Sequence, residues 1–220
     1  MSHDVIDHLA KIPAGSRLDE IRRARPDARE HAQQSFLALL EPADPGELAL
    51  ADRYAVAAFV ALLHDVPGEP TRASSFYLEL LDDEAEPELV RAVRGAANAG
   101  RASGPYGDYR EPGLADEARP GPVAAVDRSV IGDRLAALLE HAHLLVLHPR
   151  DARPDALRAL VDAGWGADAI VSVSQLVAFI AFQLRLVHGL RTLAATTTAT
   201  ATATATTATT TEPELEGARA

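Results

Sequence analysis

From Ala167 to Leu193 the chain is apolar around nearly the whole circumference of a helix. Such a helix has no face to offer water, so it must lie centrally in a fold or against another subunit. The remaining sequence therefore has to supply a shell, and that shell reads as helical. No stretch alternates apolar and polar residues with period two, the pattern of a half-buried strand. Apolar residues make up 47% and aromatic residues 5%, so the core is built mainly of Ala, Leu and Val. Ala and Leu lose little side-chain freedom in a helix. An all-α fold of about eight helices is expected, and 220 residues suffice for one substantial core.

Capping and breaking residues divide the chain. Ser2 is expected to cap a helix carrying Val5, Ile6 and Leu9, closed at Pro13-Ala-Gly15. Ser16 starts a second helix, and Pro26 opens a third with Ala32, Phe36, Leu39 and Leu40 on one face. After the break Pro42–Gly46, Leu48–Leu63 reads as a helix of Ala, Val, Leu and Phe that ends at His64-Asp-Val-Pro-Gly-Glu-Pro70. Thr71 caps the next, and Pro87 opens another that reaches about Ala99. Gly100–Pro122 is a long Gly/Pro-rich loop centred on Gly104-Pro-Tyr-Gly-Asp-Tyr109; its aromatics favour order. A helix over 129–148 has an apolar stripe at Leu135, Leu138, Leu139, Ala142, Leu145 and Val146. Pro154–Ala163 is a short helix, and the apolar helix 167–193 follows. Thr196–Thr211 is an almost pure Thr/Ala repeat with an acidic tail behind it, and 194–220 is read as disordered. The division is thus an N-terminal helical extension over 1–47, expected to wrap a neighbouring subunit, a helical domain over 48–193, and the tail.

Several functions are disfavoured by composition. A net charge of −11 argues against nucleic acid and against an anionic membrane surface. Without cysteine there is no disulfide, thiol nucleophile or thiolate metal site. The N-terminus has early acids and no apolar run, unlike a secretory signal. Ala169–Leu184 carries Ser172, Ser174, Gln175 and Gln183 and reads as too short and too polar for a membrane span. A soluble cytoplasmic protein without cofactor or bound metal is expected.

Three segments carry a resemblance: Glu140-His-Ala-His-Leu-Leu-Val-Leu-His-Pro-Arg-Asp151, Ala163-Gly-Trp-Gly-Ala167 and Gln175-Leu-Val-Ala-Phe-Ile-Ala-Phe-Gln183. With the order of elements before them, they resemble the carboxymuconolactone decarboxylase and alkylhydroperoxidase AhpD-like superfamily, in particular its "CMD domain protein" subgroup. The likeness covers most of 2–193 and implies an AhpD-like helical bundle that assembles as a homo-oligomer. It also implies where a peroxidase motif would fall: a Glu on the helix matching Leu48–Leu63, two cysteines two residues apart, then a His. Carried over without gaps, these positions hold Tyr54, Val66, Glu69 and Ala73. A peroxidatic thiolate passes through a sulfenic acid and resolves to a disulfide, and no residue here can do so. Thiol peroxidase activity is therefore excluded.

The decarboxylase branch needs no cysteine pair, only a His or carboxylate beside a group that stabilises an enolate. His64 lies where the active sites of this fold cluster, with Arg72 close in sequence; it equally suits a helix C-terminus. Glu140 and His143 form a Glu-x-x-His pair, half of a di-iron bundle motif, but no second copy exists. His141 and His143 fall about 160° apart around a helix and cannot readily share an ion, so no metal site is assigned. The candidate acid–base residues are His64, His143 and Glu140. Tyr54, Arg72, Tyr106 and Tyr109 are the candidate substrate contacts, with the two loop phenols able either to close over a cavity or to pack as surface. Two functions follow. One is a cofactor-independent enzyme on a small organic acid or lactone, its pocket between helix 48–64 and the Tyr106/Tyr109 loop. The other is a non-catalytic oligomeric binding or accessory protein on the same scaffold. A polar cavity holding His64 or His143 with an arginine favours the first; a pocket filled by Tyr54 and Val66 favours the second.

Overall fold

A computed structural model describes residues 4–124 and 126–208, with Glu117 and 197–208 described for their backbone alone. It is all-α. Ten α-helices run in the order α1 Val5–Ala10, α2 Arg17–Arg23, α3 Pro26–Leu40, α4 Leu50–Leu63, α5 Arg72–Glu84, α6 Pro87–Gly100, α7 Arg128–Ile131, α8 Asp133–Leu147, α9 Pro154–Asp162 and α10 Ala167–Ala208. Short 3₁₀ turns occupy Pro112–Glu117 and Pro149–Asp151. Among the described residues there is no strand, only isolated bridges joining Val66 to Glu69 and Gly107 to Arg119.

The helix starts follow local chemistry. Ser16 Oγ accepts the Asp19 amide and Thr71 Oγ1 the Ser74 amide, while Pro26, Pro87 and Pro154 open their helices. The Ser2 cap expected for α1 lies outside the described residues; Asp4 caps that helix instead, accepting the Asp7 amide at 3.0 Å. The single helix expected over 129–148 is broken at Gly132, whose φ of +78° suits glycine and separates α7 from α8.

The helix at the centre is α4, where every residue from Arg53 to Leu63 is buried. It packs against α3, α5, α6, α8 and α10. The sequence left the last helix either central or against another subunit, and within the chain α4 takes the central place. Small side chains at Ala55, Ala57, Ala58 and Ala61 let neighbours approach α4 from all sides. By contrast α10 buries Val173, Leu176, Val177 and Ile180 but leaves Val171, Phe182 and Leu193 56%, 50% and 41% exposed. That helix also passes the expected end near 193 and runs to Ala208, because alanine is the strongest helix former. The remainder of the tail, 209–220, lies outside the described residues. By length and composition Ala167–Thr196, whose most apolar 18-residue window has a mean hydropathy of 1.8, suffices to cross a bilayer, contrary to the sequence expectation. Core helices meet that criterion too, and one face of α10 is bound to α1, α3, α4 and α8.

Within the chain α1 and α3 pack on α10, α1 also on α5 and α2 on α3, with Ile6, Leu9, Phe36 and Leu40 buried. An ionic network fixes them. Arg22 pairs with Asp4 and Asp7, Arg29 with Asp4, Asp7 and Asp19, and Arg23 with Asp19. The Gly15 amide and the Arg23 guanidinium hold the Asp19 carboxyl down at about 2. Burial alone would raise Asp4, but Arg22, the Asp7 amide and Arg29 outweigh it and bring it below its ordinary value. A depressed carboxylate contributes stability above its unfolded pKa of about 3.9, and that contribution disappears as pH falls through the folded value. The melting temperature should therefore fall between about pH 4 and about pH 2. Asp19→Asn should take away part of that slope in circular-dichroism melts; an unchanged slope would count against the network.

Candidate functional site

The C-terminus of α4, the start of the 101–127 loop, the end of α8 and the middle of α10 enclose a cleft of about 1380 Å³. His64, Asp65, Arg101, Ser174 and Arg185 supply its polar lining; Leu63, Val146 and Val177 are among its apolar walls. A second cleft of about 620 Å³ lies between the start of α5 and the later turns of α10. His64 and Arg185 line both clefts and form their partition.

His64 is the C-cap of α4, and its Nδ1 lies 2.9 Å from the Val60 carbonyl oxygen. A carbonyl can only accept, so Nδ1 carries the proton and Nε2 keeps its lone pair. Burial pushes the imidazole pKa below its ordinary value, and the Arg185 charge acts in the same direction. The Val60 hydrogen bond and the Asp65 carboxylate oppose them without prevailing. A neutral base is thereby placed beside a guanidinium. Arg101 is held by the Leu62 carbonyl at 3.0 Å and by Asn98 Oδ1 at 2.9 Å. Asp65 accepts the Thr71 amide at 3.1 Å, which ties the turn after α4 to α5.

The other sequence candidates lie elsewhere. His143 is 2% exposed and donates from Nε2 to the Gly100 carbonyl at 2.8 Å; it locks the loop's root and does not line either cleft. Glu140 pairs with Arg128 at 2.6 Å, so the Glu-x-x-His pair does not converge. Tyr54 is buried in α4, and Tyr106 stacks on His148 with ring centroids 5.3 Å apart. Tyr109 lies beneath Arg150, which pairs with Glu111. Neither phenol lines a cleft. Arg72 lines the second cleft and shares His64 with it. The histidines of α8 diverge: His141 Nε2 donates to Ser174 Oγ at 3.0 Å, and His148 Nε2 to the Pro122 carbonyl at 2.7 Å. Among the described residues no three His, Asp or Glu side chains are grouped to hold a metal ion.

Sequence reasoning passed over Arg185 and Arg101. A signal existed for Arg185, the one guanidinium in the otherwise uncharged stretch from Ala169 to Val187. A charge on such a helix needs either water or a site. Arg101 had no comparable signal among the many arginines of the chain.

The loop is latched by Tyr106, whose amide donates to the Leu147 carbonyl at 2.6 Å. A Cβ built on Gly121 would lie 2.3 Å from that ring, and Gly121 has a φ of +56°. Gly121→Ala should thus combine left-handed strain with overpacking, about 2–4 kcal/mol in sum. Faster hydrogen exchange across 101–124 is the expected readout; unaltered exchange would show that the latch is not set by this contact.

Comparison of the chain with family models, with curated proteins and with solved structures returns no match.

Proposed function

We propose that the larger cleft is the active site of a cofactor-independent acid–base enzyme acting on a small organic acid or lactone, on a cysteine-less scaffold related to the carboxymuconolactone decarboxylase and AhpD-like superfamily. One observation carries this reading: His64 presents an unprotonated Nε2 in a cleft that also holds Arg185 and Arg101. Nε2 takes a proton from the carbon next to a carbonyl. The C–H electron pair moves into the carbonyl, and the arginines stabilise the oxyanion that develops. The imidazolium then returns a proton to carbon. Of the two residues whose presence would favour the non-catalytic alternative, Tyr54 does not line this cleft and Val66 does, 60% exposed at its edge.

The test uses the full chain in deuterium oxide with laevulinate, succinate and γ-butyrolactone. Proton NMR should show loss of the α-proton signal of at least one of them faster than in buffer. Failure with all three would remove the acid–base reading.

A homo-oligomer belongs to the same proposal. Val171, Phe182 and Leu193 recur every eleven residues, close to three helical turns, and so share one exposed face of α10. Leu157 and Val161 form a further exposed apolar pair on α9. In this reading the protein is cytoplasmic and covers that face with a second copy. Light scattering after gel filtration should give a multiple of 23.3 kDa. The double variant Val171→Asp, Phe182→Asp should return to the monomer mass; a monomeric parent would refute the assembly.

A further inference from the structure

The second cleft has a composition that the reaction at His64 does not explain. Leu184, His188, Arg191 and Ala195 follow the helical spacing of one face of α10, and Arg72 faces them from the start of α5. Its cationic lining comes from Arg72, Arg185 and Arg191, with His64 and His188 between them, and no carboxylate lines it. That is unexpected in a chain with 32 acidic residues against 21 Lys and Arg. In the N-terminal network, by contrast, Arg22, Arg23 and Arg29 are each matched by carboxylates. Among the described residues Arg72, Arg185 and Arg191 form no ion pair.

Two of the three guanidiniums are already held in place. Arg72 donates to the His8 carbonyl at 3.1 Å, and Arg185 to the Ala181 carbonyl at 2.9 Å. Like charges fixed around one space repel, and an anion between them relieves the repulsion at little ordering cost. The floor is different in kind: Ala73, Leu184, Val187 and Ala195 are apolar. A volume of about 620 Å³ lies within the range of small-molecule sites and exceeds what a bare inorganic anion needs.

We propose that the second cleft binds an amphiphilic anion, a carboxylate or phosphonate head seated among Arg72, Arg185 and Arg191 with an aliphatic body on Leu184 and Val187. His64 and Arg185 separate this cleft from the larger one, and the binding does not rest on the catalytic reading of His64.

Isothermal titration of the full chain with octanoate, octylphosphonate, octanamide and acetate tests this. Octanoate and octylphosphonate should bind saturably at one site. Octanamide lacks the charge and acetate the body, and both should bind at least about tenfold more weakly. Arg191→Gln should weaken octanoate by about tenfold, the loss of one charge-assisted hydrogen bond. Arg158→Gln, on the exposed side of α9, should leave it unchanged, and far-UV circular dichroism should be the same for both variants. Octanamide binding as well as octanoate, no octanoate binding at all, or an Arg191→Gln variant indistinguishable from its parent would each overturn the proposal. Proton exchange without octanoate binding would sink this inference alone, and octanoate binding without exchange would sink only the catalytic reading.

Discussion

His64→Gln is expected to slow the solvent exchange of an α-proton by about 10²–10⁴-fold, the usual contribution of a positioned general base. Glutamine keeps polarity and approximate size but cannot accept and carry a proton at neutral pH. The fold should barely notice. His64 caps α4 from a partly exposed position and makes one hydrogen bond, to Val60, so about 1 kcal/mol of stability is at stake. The pH profile gives an independent check. The active form is the neutral imidazole, whose pKa is lowered first by burial and then by Arg185. The rate should therefore persist below the ordinary histidine range and fall only as Nε2 becomes protonated. Arg185→Gln removes one lowering cause, so the acidic limb should move to higher pH. A glutamine variant with the parent's rate would mean that His64 is not the base.

The order and type of elements were legible because local chemistry sets them. Ser16, Thr71, Pro26, Pro87 and Pro154 start helices where capping and proline geometry say they should. Their arrangement was less legible. Two helices read as strongly apolar, and periodicity could not rank them; volume decides, since the four buried alanines of α4 admit close neighbours and Phe182 on α10 does not. Low complexity argues against burial of the tail, and the helical backbone of α10 extends to Ala208 without it.

For the site, sequence proximity was a partial guide. It brought His64 and Arg72 together because one turn separates α4 from α5, and they do line one cleft. It joined Glu140 to His143 on helical spacing alone, although Arg128 draws the one outward and the Gly100 carbonyl draws the other inward. It could not reach Arg185, which lies far along the chain and meets His64 only through the packing of α10 on α4. The phenols of the loop were read as able either to close over a cavity or to pack as surface. Close approach of Gly121 to Tyr106 and the stacking of that ring on His148 go with packing.

Arg53→Ala should be the most damaging single substitution for stability, costing roughly 3–5 kcal/mol. This side chain is 5% exposed, and its Nε, Nη1 and Nη2 donate to the carbonyls of Leu48, Leu39 and Pro45 at 2.8, 2.7 and 3.0 Å. One guanidinium thus satisfies three backbone acceptors at the end of α3 and in the connection to α4. Burial works against its charge, and the neighbouring Asp52 carboxylate partly offsets that. Truncation leaves three acceptors without donors, at about 1–3 kcal/mol for each one kept from water. The Pro45 carbonyl, nearest the surface, can turn to solvent, which sets the total below the full sum. Lysine retains the charge but not the planar fork, so it can reach only some of the carbonyls at once. Denaturant melts should therefore rank the parent above Arg53→Lys and Arg53→Lys above Arg53→Ala. If lysine proved as costly as alanine, the retained charge would count for nothing; if both variants melted like the parent, the fork would be irrelevant and the connection from α3 to α4 would be held by its apolar contacts.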